Sequence, residues 1–143
     1  MIYQQDIDFP DNVRHFGCYL LSLVERLTNH FDLPFTHDSV LSIYDYGRAN
    51  LFIDEEVTIL DPQVLCDFAV GRDKVRFVGH VTARYIPTED EMEILCWHKA
   101  GASFNHFCSG NGKGIVLYDP WSASGSDSVR NGELISKRIY RIA

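Results

Sequence analysis

The stretch NHFCSGNGKGIVLYDPW, Asn105 to Trp121, decides how this chain is read. At its centre Asn111-Gly112 separates two short runs, Ala102–Ser109 and Gly114–Asp119. A two-residue type I′ turn needs φ > 0 at both central positions, which Asn and Gly tolerate, so the pair predicts a β-hairpin. Pairing outward sets Gly110 opposite Lys113, Cys108 opposite Ile115, His106 opposite Leu117 and Phe104 opposite Asp119. Side chains alternate along a strand, so His106 and Asp119 leave one face as diagonal neighbours, with Cα atoms ~7–8 Å apart. A His and an Asp at that spacing can hydrogen-bond, which orients an imidazole as a general base. Taken singly the two residues are ordinary: a strand His is usually a satisfied structural group, and Asp119-Pro120 is a common turn start.

Upstream of the hairpin the period is helical. Phe16, Leu20, Leu23, Val24 and Leu27 form one stripe, predicting a helix over Phe16–Asn29. Asp38 reads as the N-cap of a second helix through Val40, Ile43 and Tyr44 towards Gly47. Asp61-Pro62 opens a third, Pro62–Val70, with Gly71 as its stop. Val75–Tyr85 is β-branched and aromatic and predicts a strand. Thr88 and Glu91 make a capping-box pattern, which predicts a helix through Ile94 and Leu95 ending at Gly101, with Glu89-Asp90-Glu91 as favourable charge at its start. Ser122–Asp127 reads as a polar loop. Leu134–Ile142 reads as a closing strand, with Ile135, Lys137, Ile139 and Arg141 on one parity. Helices first and antiparallel strands later predict one α+β domain over residues 1–143.

The cysteines are Cys18, Cys66, Cys96 and Cys108. No two are spaced as C-x-x-C, and a leaderless chain keeps them reduced. Cys18 differs from the rest because it follows Gly17 at a helix start, where free N–H groups and the macrodipole favour an anion such as a thiolate. A lone Cys there is more often structural. The order of a Cys on a helix N-terminus, then His, then Asp on consecutive strands is the informative pattern.

FGCYLLSL (residues 16–23) followed by NHFCSGNGKGIVLYDPW resembles the papain-like fold. It is most similar to bacteriocin-processing peptidases of the double-glycine-leader type and their phage-encoded relatives. The tail NGELISKRIYRI resembles the closing strand of small phage proteins of that group, most of them functionally unassigned. The resemblance implies that Cys18 is the nucleophile, His106 the general base and acid, and Asp119 the orienting carboxylate. It also implies an oxyanion donor six residues before the nucleophile, where Asn12 stands, with Gln5 or Gln4 as substitutes. Gly17 and Tyr19 flank the site, and Trp121 is expected to shield the His–Asp pair. The implied activity is hydrolysis of a peptide or peptidoglycan-like amide through a thioester, with no cofactor. Transglutaminase-like and NlpC-type enzymes share the Cys-then-His order, so water or an amine remains open as acceptor.

Two other readings compete. Cys96-Trp97-His98 and His106-Phe107-Cys108 would give four zinc ligands if both lay on strands, whereas the helix expected at Cys96 sends i and i+2 apart. A catalytically silent regulatory module of phage origin would instead use aromatics such as Tyr44, Tyr46, Phe52, Trp97 and Trp121, most of which read as core. Lys137, Arg138 and Arg141 read as a solvated face.

Composition excludes several classes. The chain has 143 residues, 45% hydrophobic and 23% charged, a globular profile rather than a disordered one. No apolar run reaches the ~18–20 residues of a membrane helix. Met1–Phe9 carries Asp6 and Asp8 and no basic region, so a cytoplasmic chain is expected. A net charge of −7 argues against nucleic acid or an anionic membrane as partner.

Overall fold

The computed structural model describes all residues from Met1 to Ala143. Five helices, α1 (Asp11–Phe16), α2 (Cys18–His30), α3 (His37–Ala49), α4 (Pro62–Val70) and α5 (Asp127–Asn131), accompany five strands. The strands are β1 (Val75–Thr82), β2 (Glu91–His98), β3 (His106–Gly110), β4 (Val116–Tyr118) and β5 (Glu133–Ile142). They form one antiparallel sheet in the order β1-β5-β2-β3-β4, so the architecture is α+β. No helix is long and apolar enough to cross a membrane.

Four members of the predicted stripe are buried on α2, Leu20, Leu23, Val24 and Leu27 being at most 1% exposed, while the fifth, Phe16, ends α1 and is exposed. Ser22, Glu25 and Thr28 are buried as well, so α2 is a central helix rather than a surface one. Leu20, Leu21 and Val24 face one apolar cluster with Val40, Ile43 and Tyr44. Leu23 and Leu27 face a second, with Ile94 and Tyr140 of the sheet. Tyr44 is core as expected, while Tyr46 and Phe52 pack partly buried against the first cluster. The expected helix start at Phe16 moves to Cys18, because a short α1 precedes it and the two meet at Gly17.

Helix α3 starts two residues earlier than expected: the Thr36 side chain accepts from the Ser39 N–H, closing a capping box, and Asp38 lies inside the first turn. Gly47 does not end it. A Cβ there would sit 2.5 Å from Ile53 Cδ1, so glycine is required for close approach. Helix α4 keeps its expected bounds, with Asp61 Oδ1 accepting from Val64 N–H and Gly71 at φ +97°. The expected polar loop Ser122–Asp127 gives way at its last residue to α5, capped by Ser126, a local signal present in Ser126-Asp127.

The helix predicted after Thr88 is a strand. Glu91 Oε1 does accept from Thr88 N–H at 2.9 Å, so half of the capping box forms, but it closes a turn that feeds β2. Residues 91–98 occupy the sheet between β5 and β3, and pairing on both edges outweighs the local cap. The Glu89–Glu91 charges therefore sit at a strand entrance, where Glu91 also accepts from Tyr85 and Arg141.

The solvated basic face is corrected too. Because β5 lies between β1 and β2, its middle is covered on both sides. Lys137 is only 4% exposed and ion-pairs with the fully buried Glu93 at 2.8 Å. Arg138 lies half-buried over the Phe107 ring, and only Arg141 keeps a rim position, against Glu91.

Candidate active site

The hairpin that carries the site has a wider loop than the two-residue turn predicted. Asn111 N–H donates to Ile115 O at 2.9 Å, and Asn111 Oδ1 accepts from the N–H of Lys113 and Ile115. Gly112 and Gly114 both take positive φ, the conformation glycine allows. Their N–H groups both donate to Glu93 Oε2, at 2.9 and 2.8 Å. A buried carboxylate needs such donors, and it draws the loop inward. In consequence Ser109 pairs with Tyr118 rather than Gly114, a slip of four residues, with a bulge before Gly110. An even slip leaves each side chain on its original face. The expected partner of Asp119 therefore changes from Phe104 to the neighbourhood of Cys108, while its diagonal relation to His106 survives.

His106 Nε2 and Asp119 Oδ1 are 2.7 Å apart, both residues being buried. An ionised carboxylate only accepts, so Nε2 carries the proton and donates, and Nδ1 is the ring atom left for a second partner. Asp119 is held from three sides. Its Oδ1 also accepts from Trp121 N–H at 3.0 Å, and its Oδ2 accepts from Ser126 N–H at 2.9 Å. Burial pushes the Asp119 carboxyl up, but His106 and these N–H donors outweigh it and hold it below the usual carboxylate value. Burial disfavours the His106 cation, yet the carboxylate overrides it, and the thiols of Cys108 and Cys18 act in the same direction, so its pKa stands well above the ordinary imidazole value. The Ser126 and Trp121 backbone donors were not legible from sequence, because both lie in a loop whose path depends on the carboxylate it wraps.

Cys18 is the first residue of α2. The Leu21 N–H makes the first bond of that helix, to Gly17 O at 2.9 Å, so the Cys18 N–H precedes it. A Cβ at Gly17 would approach Val13 O to 2.5 Å, so the tight join of α1 to α2 depends on glycine. Cys18 is 7% exposed and lines a cleft of about 540 Å³ shared with Phe16, Tyr19, Phe104, Phe107 and Arg138. All four cysteines are free. Burial pushes Cys66 up to about 12 and Cys108 to about 11, the latter despite His106, and Cys96 moves in the same direction, so these three thiols stay protonated.

Other expected site residues are placed differently. Asn12 Nδ2 donates to the Tyr44 hydroxyl and to Glu55 O, tying α1 to α3. Gln5 Nε2 and Gln4 Nε2 both donate to Arg14 O, at 2.8 and 3.0 Å. The structure commits these amides to holding the chain before α2, and the Cys18 N–H is the donor left beside the thiol. The Tyr19 ring stacks on Phe107 at 4.7 Å, and its hydroxyl meets that of Tyr140 at 2.5 Å. Trp121 contributes its backbone N–H, while its side chain is 42% exposed.

The four-ligand zinc arrangement does not assemble, for a reason other than the expected helix. Cys96 pairs with Phe107 and Trp97 with His106, so Cys96 and His98 share the face opposite to His106 and Cys108. His98 Nδ1 instead meets Asn105 Oδ1 at 3.0 Å. A different trio, His106, Cys108 and Asp119, does bring three ligand atoms within 4.8 Å of one another.

No curated protein and no solved structure matches the chain. A family model described as "Protein of unknown function, DUF261" matches residues 1–142, nearly the whole length, and the chain belongs to that family.

Proposed function

We propose that this protein is a cysteine-dependent amide hydrolase of papain-like design, acting on a peptide or peptidoglycan-like amide. The observation that carries the reading is the buried His106–Asp119 pair, 2.7 Å apart, in a molecule that also sets Cys18 as the first residue of α2 on the wall of a cleft. In this reading the Cys18 proton already rests on His106 Nδ1, as an imidazolium–thiolate pair in keeping with the raised His106 pKa, and the thiolate attacks the substrate carbonyl. The Cys18 N–H donates to the developing oxyanion. Collapse breaks the C–N bond, the amine leaves with the proton from His106, and a thioester remains. Water, deprotonated by His106, then releases the acid and the free thiol.

The test is site-resolved alkylation by iodoacetamide across pH 5–9, with mass spectrometry on wild type and His106→Ala. Cys18 alone is expected to react fast at pH 6, with the substitution slowing it at least tenfold. Equal, slow reaction of Cys18 in both proteins would sink the proposal and favour a catalytically silent binding module.

The trio His106, Cys108 and Asp119 favours a second reading, a zinc centre that uses the same imidazole and carboxylate. Titration with Co(II) separates the two. A thiolate-to-cobalt charge-transfer band that is lost in Cys108→Ser would mark the metal site, and its absence leaves the hydrolase reading alone.

A further inference from the structure

We infer that Arg138 is the specificity-determining residue of the cleft and that its substrate carries a carboxylate beside an apolar residue near the scissile amide. The position of the scissile bond rests on the reading of Cys18 as nucleophile; the anion site itself does not.

Arg138 is half-buried on β5 and lines the same cleft as Cys18. It is the only Lys or Arg on that cleft, and several other buried or surface cations already have a carboxylate. Lys137 pairs with Glu93, and Arg141 with Glu91. Arg26 pairs with Glu25 and Lys99 with Asp127. Arg138 makes no ion pair, in a chain whose net charge is −7. Of its five N–H donors one is used, with Nη1 donating to Ser136 Oγ at 2.9 Å. The guanidinium is nonetheless fixed in place. Its carbon lies 5.2 Å from the centroid of Phe107, which in turn stacks on Tyr19, the residue after Cys18.

A guanidinium held by stacking, with its donor fork open to a cleft, is suited to a planar carboxylate and binds it in bidentate fashion. Beside the polar His15, Thr58, Ser103 and Asn105, the walls carry a group of aromatic rings. Phe16 and Phe104 meet edge to face at 6.2 Å, and Phe107 forms the wall under Arg138. The single carboxylate on the cleft, Glu56, is exposed at the rim and makes no ion pair with Arg138. Charge and shape together select an amide carrying an anionic group next to an apolar one.

A C-terminal carboxylate and an acidic side chain share that chemistry, and paired probes separate them. N-iodoacetyl-leucine is compared with N-iodoacetyl-leucinamide for the first source. The N-iodoacetyl derivative of glutamic acid α-amide is compared with that of glutamine amide for the second. Rates at Cys18 are measured by mass spectrometry in wild type, Arg138→Gln and Arg138→Lys. In at least one pair the anionic member is expected to react about tenfold faster and to saturate. Arg138→Gln should abolish that preference and Arg138→Lys restore part of it. Binding of unreactive N-acetyl-leucine and N-acetyl-glutamic acid α-amide, followed by amide chemical shifts in Cys18→Ser with and without Arg138→Gln, reads the site without chemistry. Fast alkylation with a preference that Arg138→Gln leaves unchanged overturns the inference and spares the hydrolase reading. An inert Cys18 with Arg138-dependent binding keeps the anion site and removes the nucleophile. An inert Cys18 with no Arg138-dependent shift removes both.

Discussion

Asp119 is the residue on which the site turns. It receives the His106 ring and two loop N–H groups, so it sets the ring's orientation and the path of residues 119–126 together. Asp119→Asn keeps an acceptor for the ring but removes the charge, and should cost about 1.5–3 kcal/mol near pH 5–6. The pH dependence follows from the two shifts. The Asp119 pKa is depressed, so its contribution is present above the unfolded value of about 3.9 and lost as pH falls through the folded value. The His106 pKa is raised, so its contribution is full below about 6.5 and lost as pH rises through the folded value. Thermal melts over pH 3–10 should show the gap between wild type and Asp119→Asn widest at about pH 4.5–6.5. It should narrow on both sides. A gap that stays constant with pH would mean the pair is neutral in the folded protein.

At the scale of elements, the hairpin loop is built around a charge on another strand. Glu93 on β2 is fully buried, pairs with Lys137 on β5, and accepts from Gly112 and Gly114 of the loop. Removing one partner of such a pair leaves an uncompensated buried charge. Lys137→Met should therefore cost about 3–5 kcal/mol in urea denaturation and speed hydrogen exchange at the Gly112 and Gly114 amides. Adding Glu93→Gln to Lys137→Met should recover part of the loss, because no charge is then left buried. Strictly additive losses would show that the pair is not what shapes the loop. Strand β2 teaches the same lesson. Its Thr88–Glu91 signal is real and makes its hydrogen bond, but the two ladders that β5 and β3 offer decide the outcome.

The whole molecule is organised around α2. One side of this helix belongs to the cluster shared with α3 and the other to the cluster shared with the sheet. Neither cluster can come apart without exposing Leu residues of the same helix. Urea unfolding followed by far-UV circular dichroism and by fluorescence of Trp97 and Trp121 should give coincident transitions. An early fluorescence transition would separate the sheet and its site from the helices. The N-terminal segment adds a further tie, since Gln4 N–H donates to Pro120 O at 2.7 Å and Tyr118 hydroxyl donates to Ile2 O at 2.8 Å. It binds the hairpin to the chain just ahead of α2, and so holds the two halves of the candidate site in one body.

The sequence by itself determined whatever depends on residues within a few positions of each other. The α2 stripe, the Asp61-Pro62 start of α4, the existence of the closing strand β5 and the common face of His106 and Asp119 all follow from local periodicity, capping and strand geometry. The place of Cys18 in the first turn of a helix belongs here too, although the break from α1 at Gly17 does not. Only the tertiary structure decided the rest. Lys137 and Arg138 look like surface cations because nothing nearby in sequence tells that β5 will be sandwiched between β1 and β2. The Asn111-Gly112 turn yields to Glu93, eighteen positions earlier, because burying a carboxylate without donors costs more than a tight turn gains. Asn12 and the glutamines look free in sequence, but Tyr44, Glu55 and Arg14 reach them only in the folded chain. Local chemistry names most of the elements and the candidate side chains. Burial and long-range pairing decide their register and which of them stay available.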